Sequence, residues 1–129
     1  TNWGLRGYWK PESTGAVPAI QVGYDITTID DDGASGSVEE TNAWMIGLMW
    51  KDAFIDGNTA GLAFGQAQHA TQIVGSTSDP ADDNSVWEAY YSFKVSDNVK
   101  ITPAIFGSSD SWDGNDDATG YIVQTDFKF

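Results

Sequence analysis

The stretch Tyr121-Ile122-Val123-Gln124-Thr125-Asp126-Phe127-Lys128-Phe129 decides the fold class. Every second residue back from Phe129 is Phe127, Thr125, Val123 and Tyr121, with Lys128, Asp126, Gln124 and Ile122 between them. Successive side chains of a strand point to opposite faces, so one face here is apolar with aromatic ends and the other is mostly polar. An exposed strand of a soluble protein would be expected to carry charge or proline protection on its edge. The aromatic finish of this segment instead asks for an apolar surround, and the rest of the chain must supply the same pattern.

The totals agree with an all-β chain. Its 129 residues suit one domain. Six Trp, five Tyr and six Phe exclude a disordered polymer. Fourteen Gly recur within the apolar segments, and no 3.6-residue periodicity accompanies them, so helices are not expected. No apolar run approaches the roughly 18–20 residues of a membrane helix, which leaves a strand-built membrane protein open. A net charge of −13 excludes nucleic-acid binding through phosphates. Without Cys there is no disulfide or thiolate framework.

Seven alternating segments follow in order, divided by turn chemistry. They span about residues 3–9, 17–27, 42–51, 60–68, 85–95, 99–106 and 121–129. Pro18 suits the start of a strand, and Pro103 predicts a bulge or break because it cannot donate to a ladder. The intervening connections alternate short and long throughout. An up-and-down antiparallel sheet would then gather the tight turns at one end and the long loops at the other.

Aromatic residues recur with the same step. Trp3 and Trp9, Trp44 and Trp50, Trp87 and Phe93, and Tyr121 and Phe127 are each six residues apart on the odd-numbered strands. Even spacing keeps each pair on one face, separated by roughly 20 Å along the strand. Two aromatic girdles flanking an apolar band account for that spacing, with Phe129 closing the lower one. The opposite face carries Arg6, Gln21, Asp25, Glu88, Tyr90 and Ser92, then Lys94, Lys100, Thr102, Gln124, Asp126 and Lys128. The long-loop end holds fourteen acidic residues and no base, whereas the other end holds six bases and five acids. Such an entrance would attract cations, although solvated acidic loops explain it equally well.

Several segments together resemble the cyanobacterial outer-membrane porins of the carbohydrate-selective (OprB-like) superfamily. They include Gly7-Tyr8-Trp9-Lys10-Pro11-Glu12, Ala43-Trp44-Met45-Ile46-Gly47-Leu48 and Gly57-Asn58-Thr59-Ala60-Gly61-Leu62-Ala63. Val95-Ser96-Asp97-Asn98-Val99 and the terminal Val123-Gln124-Thr125-Asp126-Phe127-Lys128-Phe129 continue the likeness. The final Phe also resembles the assembly signal on the closing strand of bacterial outer-membrane barrels. The resemblance implies an antiparallel up-and-down transmembrane β-barrel of about sixteen strands, with short periplasmic turns and long extracellular loops. Residues 1–129 would be its C-terminal portion, without the N-terminal strands and the cell-wall-binding periplasmic module.

On that footing the polar set lines a water-filled pore and the aromatic set faces lipid. The expected activity is passive diffusion of sugars or inorganic ions across the outer membrane. The implied partners are outer-membrane lipid, the permeants themselves and the barrel-assembly machinery acting on the Phe129 strand. A homo-oligomer of the full-length protein is compatible with the resemblance, and no cofactor is called for. The competing class is a secreted carbohydrate-binding module, a lectin-like sandwich with the tryptophans in its core. Nothing suggests an enzyme: His69 is the single histidine and has no nucleophile or metal-ligand pattern around it. The acidic run at 110–117 lacks the spacing of a calcium loop.

Overall fold

The computed structural model describes residues 1–12, 15–30, 33–76, 85–109 and 117–129. Seven strands form one sheet: β1 (Asn2–Trp9), β2 (Ala19–Thr28), β3 (Val38–Lys51), β4 (Thr59–Ile73), β5 (Ser85–Lys94), β6 (Val99–Ser108) and β7 (Ala118–Phe127). They lie in chain order, and every neighbouring pair is antiparallel. The described residues contain no helix. The sheet is open, because β1 and β7 are both edge strands and do not touch.

A single layer has no interior. Ala19 is the one buried apolar residue among those described, whereas Trp3 is 71% exposed and Tyr121 87% exposed. The sandwich core that would have hidden the tryptophans is therefore missing from this chain's own fold. Order comes from the backbone ladders and from side chains packing along each face. The polar face is concave, since one recess of about 640 Å³ is lined across all its width from Arg6 on β1 to Gly120 on β7. A recess of about 850 Å³ on the apolar face is instead confined to the turn end, by Trp50, Phe54, Leu62 and Tyr91.

Strand ends differ from the sequence pattern at the end of the sheet where residues 29–37, 74–84 and 109–117 connect. There β3 begins at Val38, β4 runs on to Ile73, β6 reaches Ser108 and β7 starts at Ala118. Cross-strand hydrogen bonds extend these strands through polar residues that carry no alternation. His69, expected near a loop, pairs with Asn42 inside the ladder. A one-residue slip between the Asn42–His69 and Trp44–Gln66 pairs puts Ala67 and Gln68 opposite Ala43, which is a β-bulge in β4.

The strict short–long alternation does not survive these extensions. Residues 10–18 and 29–37 are connections of equal length, nine residues each. The remaining turns, 52–58 and 95–98, are still shorter than 74–84 and 109–117. Of the bulge or break expected at Pro103, the structure shows the break. The β5–β6 ladder lapses at Tyr91 and Ser92, then resumes in the same register at Phe93–Ile101. A 2.8 Å hydrogen bond between the Ser92 and Thr102 hydroxyls spans the gap left by the missing donor. The last strand stops at Phe127, and Lys128 N–H donates to Asn98 O at 2.9 Å, so Phe129 lies just past the ladder.

Candidate functional site

The candidate site is the two-faced wall itself, and the register defines it. One row of directly opposed residues runs Trp9, Ile20, Leu48, Leu62, Ala89, Ile105, Tyr121. All seven share one face, and counting in twos from them assigns every other position. Trp3, Trp9, Trp44, Trp50, Trp87, Phe93, Tyr121 and Phe127 fall on this apolar face. Arg6, Gln21, Asp25, Glu88, Tyr90, Ser92, Lys94, Lys100, Thr102, Gln124 and Asp126 fall on the other. Phe129 and Lys128 follow the last paired residue.

Measured from that row, Trp9, Trp50, Phe93 and Phe127 lie zero, two, four and six residues toward the turn end. Trp3, Trp44, Trp87 and Tyr121 form a second line six residues above the first, with the same slope. Each line descends one residue per strand. With a rise of about 3.3 Å per residue and about 4.8 Å between strands, that slope is an angle of roughly 35°. Strands of a closed barrel tilt by about 35–45° from its axis. Setting the sheet at that tilt makes both aromatic lines level, about 16 Å apart from ring base to ring base.

Polar contacts mark the two borders. The Trp44 indole N–H donates to Gln66 Oε1 at 3.0 Å on the upper line, and Trp50 donates to Ala16 O at 3.0 Å on the lower. Above Trp44 the same face turns polar, with Asn42 opposite His69 and Thr71 donating to Glu40 Oε1 at 2.9 Å. Between the lines it is apolar, including Leu5, Val22, Ile46, Leu48, Leu62 and Val123. Indole rings with one wet edge and one greasy body suit such a border.

The concave face works differently. Arg6 Nη2 forms a 2.7 Å ion pair with Asp25, and Arg6 Nη1 also donates to Leu5 O and Tyr24 O at 3.0 and 3.3 Å. Glycine makes room for this pair: a Cβ on Gly4 would sit 2.8 Å from Asp25 Oδ1. The Tyr90 ring covers Gly61, where any Cβ would collide with it. Beside it, Glu88, Ser92, Lys100, Thr102 and Gln124 line a shallow trough of about 440 Å³. Gln124 Nε2 donates to Asp126 Oδ1 at 2.8 Å. After correction for tilt, Arg6, Tyr90 and Gln124 share the middle height, Asp25 and Glu88 the upper, and Lys94, Lys100 and Lys128 the lower. Arg6 thus belongs to neither charged end.

No protein-family model, curated protein or solved structure matches the chain. No helix among the described residues is long and apolar enough to cross a membrane, and none of their His, Asp and Glu side chains gather as metal ligands. The acidic segment 110–116, weighed as a calcium loop, lies outside the described residues.

Two features escaped sequence reading. The lower-line aromatics are all followed by lysine, in Trp9-Lys10, Trp50-Lys51, Phe93-Lys94 and Phe127-Lys128. That repeat was legible from the sequence. The turn at 52–58 was not. There Asp52 and Phe54 adopt left-handed backbone, with φ of 52° and 63°, and Phe54 is left 96% exposed. Asn58, only 4% exposed, locks the turn by donating to Tyr91 Oη at 3.1 Å and accepting from Lys94 N–H at 2.8 Å. Tyr91 in turn donates to Ala53 O at 2.6 Å.

Proposed function

We propose that these seven strands are wall of an outer-membrane β-barrel through which small hydrophilic solutes, sugars or inorganic ions, diffuse passively. The observation that carries the reading is the slope of the two aromatic lines, one residue per strand, which matches the tilt a barrel demands. A soluble sheet has no cause to align its aromatics with that tilt. The polar concave face supports a water-filled lumen, because weak exchangeable hydrogen bonds suit diffusion rather than capture. In lipid no backbone edge goes unpaired, so β1 and β7 each need a neighbour. Both edges run toward the turn end, and an all-antiparallel closure therefore takes an odd number of further strands. The likeness to carbohydrate-selective porins and the alternating aromatic segment 121–129 favour the same assignment, with outer-membrane lipid and the barrel-assembly machinery as partners.

Proteoliposome swelling tests this reading. Vesicles containing the protein should swell in isosmotic small sugars or salts and stay unchanged in a large dextran. Equal permeability of protein-free and protein-loaded vesicles to every small solute would overturn it.

A further inference from the structure

The lysine repeat reaches beyond a neutral diffusion wall. Each lower-line aromatic faces outward, so the residue after it, on an alternating backbone, belongs to the concave face. Lys51 pairs with Thr59, and Lys94 pairs with Lys100, which opposes Asp126, all on that face. Lys10 and Lys51 also line one small cleft of about 130 Å³. Turn acids accompany them: Glu12 lines that same cleft and Asp56 lies in the 52–58 turn, so the five lysines of this end meet five carboxylates in all. Asp97 pairs with Lys94 at 2.8 Å, and Asp52 is engaged with Gly57 N–H at 2.7 Å. On the strands themselves the lower concave wall carries Lys51, Lys94 and Lys100 against the single carboxylate of Asp126.

The opposite end of the same face carries acids without a balancing lysine. Asp25 and Glu88 stand at the upper line, and Asp30, Glu39 and Asp117 lie at or beside the strand ends above them. No lysine or arginine lies among the described residues at that end. Charged rings at a pore mouth select the ion entering there, acids for cations and lysines for anions.

We propose that the lumen carries a fixed charge gradient, acidic at the loop end and lysine-lined at the turn end, which makes ion flow rectifying. The inference rests on the diffusion reading and adds a direction to it. When the loop side is positive, cations enter past the carboxylates while anions enter past the lysines, and carriers accumulate inside. The reverse polarity draws each ion away from the mouth that favours it, and the lumen is depleted. Screening sets the salt range: the Debye length is about 10 Å at 0.1 M and about 3 Å at 1 M.

The test is the current–voltage curve of the purified protein in planar bilayers of neutral lipid, in KCl at both concentrations. At low salt the current should be larger with the loop side positive, and the curve should become symmetric at high salt. The variant Lys94→Gln/Lys100→Gln/Lys128→Gln should lose most of the low-salt asymmetry, and the triple Lys→Arg counterpart should keep it. Symmetric conductance of the unmodified protein at low salt overturns the gradient and leaves the diffusion reading standing. So does asymmetry unchanged in the glutamine variant. Absence of any conductance overturns the diffusion reading and the gradient with it.

Discussion

Replacing Leu62 with arginine separates a lipid-facing wall from an ordinary exposed sheet. Leu62 sits on the apolar face, midway between the two aromatic lines once the tilt is applied, and is 48% exposed in the isolated sheet. If that face meets acyl chains, Leu62→Arg places a charge near the bilayer midplane, at a cost of about 2–4 kcal/mol. At about 1.4 kcal/mol per tenfold, the folded-to-unfolded ratio falls by roughly 30-fold to several hundred-fold. If the face meets water, a half-exposed substitution changes stability by about 0.5 kcal/mol or less. Gln124→Arg is the matched control, at the same height on the concave face and exposed. Its expected cost is also within about 0.5 kcal/mol. Urea unfolding from phospholipid vesicles, followed by tryptophan emission, reads both. Near-neutral behaviour of Leu62→Arg, or an equal loss in Gln124→Arg, would refute the assignment of faces.

Further outcomes follow from the turns. Asn58→Ala leaves the Lys94 N–H without its acceptor and removes the donor to Tyr91, and should lower stability by about 1–3 kcal/mol in the same unfolding assay. Phe54→Gly removes an exposed ring and a left-handed penalty of about 1–2 kcal/mol, partly offset by glycine's extra freedom in the unfolded chain, so the variant should match or exceed the parent in stability. The Lys94 ammonium, by hydrogen bond and charge, holds the Asp97 carboxyl below its ordinary value. A depressed carboxyl contributes above its unfolded pKa and loses that contribution as pH falls through the folded one. Asp97→Asn should therefore flatten the pH dependence of unfolding only on the acid side, below about pH 4.

Much of the architecture was legible because a strand writes its faces into every second residue. Tyr121 to Phe127, Trp44 to Trp50 and Trp87 to Phe93 gave element type, face and approximate span without reference to neighbours. Boundaries were less legible where pairing rather than burial fixes the strand. Residues such as Thr71 and Gln72 are strand because β3 bonds them, and their side chains carry no alternation. The slope of the aromatic lines could not be read at all, since stagger is a relation between strands. The left-handed Phe54 likewise depends on Tyr91, which reaches the turn from the distant strand β5 and bonds Ala53 and Asn58. Pro103 was legible for the opposite reason: a missing donor interrupts the ladder beside it, which is the break rather than the bulge of the two outcomes its ring allows.

Depth-resolved quenching of tryptophan emission by brominated acyl chains tests the account's central claim most directly. With the protein in bilayers, the emission should be quenched efficiently, most strongly by bromines near the glycerol level, where the two aromatic lines would lie. Emission indifferent to bromine at every depth would mean that these rings do not face lipid, and the wall would not be a membrane wall.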